Sequence, residues 1–403
     1  MKKVTLFLIA ALAAVSFSMI TSCDETENNG DDLQVTGILV EENITENTTW
    51  ETGNVYVLGG RITVVDGVTL TVEPGVIVKG QAGTGVNATA LLVARGATID
   101  AEGTADLPII FTSVADEIEP EDLEAGNFAS PNLDPDINGL WGGVIVLGKA
   151  KISASNDNDE DISEIQIEGI PTSDPNGLYG GSLDTDNSGI LKYISIRHGG
   201  ANIGSGNEIN GLSLGGVGSG TIIENIEVVA NQDDGIEWFG GTVNVKNVVV
   251  WNVGDDGIDT DQSWAGTLDN FYVITVAGHS FELDGPEGSY EAGHTIKNGT
   301  IITSEFDDED ELVRSSKDLI NVDDNSIVAL ENLYFTGIIE GQIVNRVTAT
   351  GVTFTGITID VPADSLANHV NGDVPAGITT GGSPVATAAG LSWTWAAQAG
   401  KLQ

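Results

Sequence analysis

The segments "ENIEVVANQDDGIE" (224–237), "KNVVVWNVGDDGID" (246–259) and "DNFYVITVAGHSFE" (269–282) repeat one pattern: an asparagine, an apolar run, then a turn of acids and glycine. "KNGTIITSEFDDED" (297–310) and "ENLYFTGIIEGQ" (331–342) keep the asparagine and the run. Asn225, Asn247, Asn270, Asn298 and Asn332 are therefore 22, 23, 28 and 34 residues apart. Two intervals near 22 followed by longer ones are what a coil with a constant core and variable loops gives. A hairpin sandwich has no reason to keep an interval. A coil of this length holds about three short strands and their turns. The expected fold is all-β: a single-stranded right-handed parallel β-helix with rungs of about 22 residues and acidic loop insertions. Asparagine suits the bend because its short amide tolerates the left-handed conformation, and stacked amides can hydrogen-bond along the ladder.

Outward from this core, "ITVVDGVTLTVEPGVIVKG" (62–80) and "ALLVARGATIDAEG" (90–103) are short β-branched runs between turn residues. No stretch past the first twenty residues has sustained helical periodicity, so almost no helix is expected. The solenoid is placed at 44–360. Acidic stretches at 116–136, 155–164 and 305–311 are too polar for a core and read as loops. Residues 361–403 read as a loop and a capping strand, with Trp393 and Trp395 at period 2 covering the open end of the stack.

Lys2 and Lys3 precede an apolar run from Val4 to Ile20, which reads as a secretory signal over residues 1–22. The run ends in Ile20, Thr21, Ser22, Cys23, which resembles the bacterial lipobox. That resemblance implies cleavage before Cys23 and lipid attachment to it. Cys23 is the sole cysteine, so no disulfide can form within the chain. Residues 23–43 begin with the acidic "DETENNGDDLQ" and read as a flexible tether. An acidic stretch after a lipid cysteine resembles the surface-export signal of Bacteroidota lipoproteins. It implies a lipid-anchored protein on the outer face of the outer membrane, with periplasmic retention as the alternative. Cleavage removes two of the 15 bases and none of the 60 acids, so the net charge of −45 becomes 13 − 60 = −47. Such a surface repels nucleic acid and anionic lipid and suits divalent cations.

If the repeats stack in register, acids form ladders: Asp233 with Asp255; Asp234 with Asp256 and His279; Glu237 with Asp259 and Glu282; Asp261 with Asp284. Carboxylates one rung apart, ~4.8 Å, repel by roughly 1 kcal/mol in water and ~3 to 4 kcal/mol at an effective dielectric of 20. A half-buried ladder therefore needs protons or cations. Three readings follow: hydrophilic turn residues; calcium held by Asp234, Asp256, Asp259, Asp261, Glu282 and Asp284; or acid–base catalysis. A separate calcium hint is "DTDNSG", where Asp184, Asp186 and Ser188 match the start of a calcium loop, although Ser195 stands where its closing glutamate belongs.

The catalytic reading rests on a resemblance. Asn231 and Asp233, Asp255 and Asp256, and Gly278 and His279 are similar in type, order and spacing to motifs of polygalacturonase-type glycoside hydrolases. By that likeness Asp255 or Asp256 is the general acid, the other aspartates activate water and His279 orients them. The family's Arg-x-Lys motif is broken, because "HTIKNG" offers Lys297 with Thr295 in place of arginine. Trp238 and Trp264 are expected to stack on a sugar beside Glu237 and Lys297, with Arg197 and His198 bordering the same face. Trp251, inside "VVVWNV", reads as structural.

"WGGVIVLGKA", "IEGIPTSDPNGLYGG" and "LKYISIRHGG" resemble a group of β-helix surface lipoproteins of the Bacteroidota. That likeness implies fold and address and supplies no catalytic residues. The leading expectation is a non-catalytic, lipid-anchored β-helix that binds a glycan with calcium, beside an outer-membrane uptake receptor. A glycoside hydrolase using Asp233, Asp255, Asp256 and His279 is the alternative, and a structural or adhesive surface fibre the third.

Overall fold

The computed structural model describes residues 37–203 and 209–402. The expected signal, Cys23 and the expected tether up to residue 36 lie outside them. The described chain is a right-handed parallel β-helix, with one sheet of sixteen strands, one of eight, and three two-stranded pairs outside the coil. One rung shows its logic. Ile222–Val229 supplies two faces by bending at Asn225, and Ile236–Phe239 supplies the third. Inward positions are apolar, as with Ile223, Ile226, Val228, Ile236 and Trp238, and join one core that runs through the solenoid.

The bend is where the asparagines sit. Asn225, Asn247, Asn270, Asn298 and Asn332 all have φ between 53 and 61°. Their amides stack: Asn247 donates to Asn225 at 3.0 Å, Asn270 to Asn247 at 2.9 Å and Asn332 to Asn298 at 2.7 Å. Between them Asn298 turns instead to the Asp269 carboxylate, at 2.6 Å. Inside the coil Gly299 pairs with Phe271, and a Cβ there would lie 2.1 Å from Phe271 Cζ. Glycine at that position leaves room for the ring.

Beside the asparagines runs a column of alternating charge that the register puts on successive strands: Glu102, Lys192, Glu224, Lys246, Asp269, Lys297, Glu331. Each lysine is paired, Lys192 with Glu102 at 3.2 Å, Lys246 with Glu224 at 3.1 Å and Lys297 with Asp269 at 3.5 Å.

The ends differ from expectation. Parallel pairing begins at Ile38 and continues to Thr380. The terminal tryptophans do not form a capping strand. Trp395–Gln398 is one helical turn, capped by the Thr394 hydroxyl, and the segment lies along the flank of the coil. Trp393 meets Tyr193 edge-on at 5.7 Å, and Trp395 meets Trp251 at 5.8 Å. The reason is apolar demand: Val249, Trp251, Tyr272 and Ile274 lie outside the coil interior and need cover, which Leu391, Trp395 and Ala396 provide. Trp251 is accordingly structural. The acidic stretch 116–136 also packs down, burying Ile118, Leu123 and Phe128 with Trp393. By contrast 155–164 and 305–311 span the tips of hairpins 154–155/161–162 and 304–306/312–315.

Candidate functional site

The third face of the coil changes character along its length. At one end its outer positions are Ile145, Leu147 and Phe239, covered by Ile152, Ile167, Ile170 and Tyr179 of the insertion that follows. One coil beyond Phe239 the outer position becomes Asp261, and the face turns acidic.

Three columns line this acidic groove. In the turn before each third-face strand, the Asp234 carboxylate accepts the Asp256 N–H at 2.9 Å, and the Asp256 carboxylate accepts the His279 N–H. His279 then bridges to Asp318, whose carboxylate accepts the Ile343 N–H. On the strand itself Glu237, Asp259, Glu282 and Asn321 are successive partners. Asp261, Asp284 and Asp323 form the third column, close enough for each acid to act on its neighbours.

Three clusters result in which each residue brings one ligating atom within 4.8 Å of the others': Asp233, Asp234 and Asp255; Asp234, Glu237 and Asp259; Asp256, His279 and Glu282. Burial and crowding favour the protonated form of several acids of the groove. Burial, then neighbouring carboxylates, holds Asp234, Glu237 and Asp259 well above the ordinary carboxylate range. Burial and Glu287 push Asp261 up to about 8, and burial with Asp323 pushes Asp284 up to about 6. Glu282 rises to about 7, chiefly through its hydrogen bond with Asp256. His279 rises as well, because its Nδ1 lies 3.1 Å from an Asp256 oxygen.

The sequence-derived sets therefore fare unequally. The catalytic candidates separate into an Asp256–His279 pair and an Asp233–Asp255 cluster. All six metal candidates, Asp234, Asp256, Asp259, Asp261, Glu282 and Asp284, line the one groove. The tryptophans do not. Trp238 and Trp264 are 0 and 1% exposed and stack on each other at 4.7 Å inside the coil, so neither offers a face to a sugar. The strand period explains this, since Trp238 shares the inward side with Ile236 while Glu237 points out.

Arg197 and His198 are also corrected. They are 1 and 0% exposed beneath the C-terminal segment. Arg197 pairs with buried Glu227 at 3.6 Å and lies over Trp395. Lys297 belongs to the alternating column on the long sheet and not to the groove. Asp184 of the calcium-loop hint is engaged by Lys151 at 2.9 Å, and Asp186 accepts the Ser188 hydroxyl at 3.3 Å.

Several groove residues were not foreseen. Asp318 and Asn321 stand beneath His279 and Glu282 after a long insertion that breaks the 22-residue count. Asn210 is 4% exposed, donates its amide N–H to Glu237, and its Oδ1 has no partner among the described residues. Gln262 clamps the rim: its N–H donates to Asp261 at 2.6 Å, and its side chain joins Tyr179 at 2.9 Å to Glu287 at 3.0 Å. Gln262 and Ser263 hold φ of 52 and 60°, an unusual consecutive left-handed pair that sets this corner.

The arrangement has the spacing to hold an ion. A hard cation bound at about 2.3–2.6 Å allows its oxygens to be at most roughly 5 Å apart, which the 4.8 Å clusters satisfy. Asn210 Oδ1, a buried acceptor lacking a donor beside Glu237, adds a neutral oxygen to the same corner.

A model of the pectate-lyase-like β-helix domain matches residues 42–126 and 128–370. No curated protein matches the chain, and no solved structure does.

Proposed function

The chain belongs to the pectate-lyase-like β-helix family, and from that membership we propose that it binds a polysaccharide through a divalent cation, calcium first, held in the acidic groove. The observation that carries this reading is the cluster of Asp234, Glu237 and Asp259, with Asn210 beside it. Carboxylates this close stay protonated or take a counter-ion, and a bound dication satisfies several at once while keeping positive charge for sugar hydroxyls or carboxylates. Among the described residues the columns themselves hold no lysine or arginine, and the bases beside them, Arg346 at 2.7 Å from Asp323 and Lys317 near His279, are far outnumbered by the acids, so an acidic polymer would be repelled unless an ion bridges it.

The test is calorimetry of polysaccharide binding with calcium and with chelator, on wild type and on Glu237→Gln/Asp259→Asn. Binding that needs calcium and fails in the double variant supports the reading; binding indifferent to both removes it. We place the protein on the outer face of the outer membrane through lipid on Cys23, beside an uptake receptor, on the strength of the lipobox-like "ITSC" and the acids after it. Cys23→Ser should move it from the membrane fraction to the soluble one; continued sedimentation with membranes would count against the anchor.

The Asp256–His279 pair supports a second reading, glycoside hydrolysis, because the His279 ring lies 3.1 Å from the Asp256 carboxylate and beside it Glu282, raised to about 7, can exchange a proton near neutrality. Reducing-end release lost in Asp256→Asn would favour it, and no release from wild type would end it.

A further inference from the structure

A cavity of about 470 Å³ lies away from the groove, between the turns at Arg95 and Lys149 and residues 180–183. Against 60 acids the chain has 15 bases, and two of them share this space. Arg95 is held by contacts that fix its plane. Its Nη1 donates to the Gly180 carbonyl at 2.9 Å, and the Glu164 carboxylate, whose side chain is 46% exposed, takes both ends of the fork, at 2.6 and 3.2 Å. Lys149 is held loosely: its nearest carboxylate, Asp66, is 3.8 Å away, and their side chains are 42 and 77% exposed. Exposed pairs of this kind are weak, so an incoming anion displaces them readily. Among the described residues, the N–H groups of Gly181 and Ser182, both in the lining, donate to no protein acceptor.

Once the exposed carboxylates of Glu164 and Asp66 give way, a guanidinium fork, an ammonium and two backbone amides border one space. Donors of three kinds on separate elements suit a tetrahedral oxyanion, which accepts from several directions, better than a planar carboxylate, which one fork can saturate. We propose that this cavity binds a sulfate or phosphate group, free or as an ester on a saccharide. The site shares no residue with the acidic groove, so either can fail without the other.

The experiment is calorimetry at physiological ionic strength with sodium sulfate, sodium phosphate and sodium acetate, then with glucose 6-sulfate and glucose 6-phosphate. Wild type, Arg95→Gln, Lys149→Gln and the control Lys192→Gln are compared. Sulfate or phosphate should bind saturably and acetate should not. Losing one charged donor should weaken binding about tenfold or more, with the Lys192 variant unchanged. Tighter binding of an ester than of its inorganic ion assigns the site to modified sugars; equal binding assigns it to the free ion. No saturable binding by wild type, acetate binding as well as sulfate, or both cavity variants binding as wild type would overturn the proposal. Lys149 is exposed enough that its variant folds even if Arg95→Gln does not.

Discussion

The Asp234 carboxylate accepts the backbone N–H of Asp256 at 2.9 Å, and the Asp256 carboxylate accepts that of His279 one coil further on. The second aspartate of each "DDG" thus ties its turn to the next. The repeat has a structural job, and the acids that face the groove are held in place by it. Asp234→Ala should lose about 1–3 kcal/mol by stranding a buried N–H. Asp234→Asn keeps an acceptor and removes a crowded charge, so it should cost far less. Urea unfolding of the two variants checks this; equal losses would contradict the capping role.

The groove acids make stability depend on pH. Asp261, Glu282 and Asp284 have folded-state values of about 8, 7 and 6, above the roughly 4 of an unfolded carboxylate. The folded chain holds more protons through that window, so the stability these groups contribute is present at low pH and is lost as pH rises through about 8. In chelator, Tm should fall between pH 5 and pH 8. Calcium should restore it, and its affinity should rise with pH as protons are released. A Tm that rises over this range in chelator would contradict the account.

The C-terminal segment seals the flank. Ala396 N–H donates to buried Glu227 at 2.9 Å, while Trp395 covers Arg197 and Trp251. Trp395→Ala should cost about 3–5 kcal/mol. Glu227→Ala should cost about as much, because it leaves Arg197 buried and unpaired. Chemical denaturation measures both; a loss within about 0.5 kcal/mol, the range of an ordinary surface change, would show that the segment does not seal the coil.

Gly299 makes a simpler case. With its Cβ position 2.1 Å from Phe271 Cζ, Gly299→Ala should cost about 1–3 kcal/mol by overpacking. Adding Phe271→Leu should recover part of the loss. No recovery in the double variant would place the strain elsewhere.

The coil was legible because the asparagine interval is a direct readout of one turn of chain, and the acidic ladders followed from register alone. Side-chain direction is legible too: Ile236 and Glu237 on either side of the strand fix Trp238 as a core residue. The alternating column was in view: the residues before the repeated asparagines read Glu224, Lys246, Asp269, Lys297, Glu331. Asp318 and Asn321 were hidden by the insertion before them. The flank position of Trp393 and Trp395 depends on which outer residues of distant coils need cover, a tertiary fact that no local pattern carries.

The most direct test of the groove is calcium titration calorimetry at pH 7.5 on wild type and Glu237→Gln/Asp259→Asn. Wild type should bind saturably with proton release, and the double variant should lose that binding. Wild type that takes up no calcium, or a double variant that binds it equally well, would contradict calcium binding in the groove.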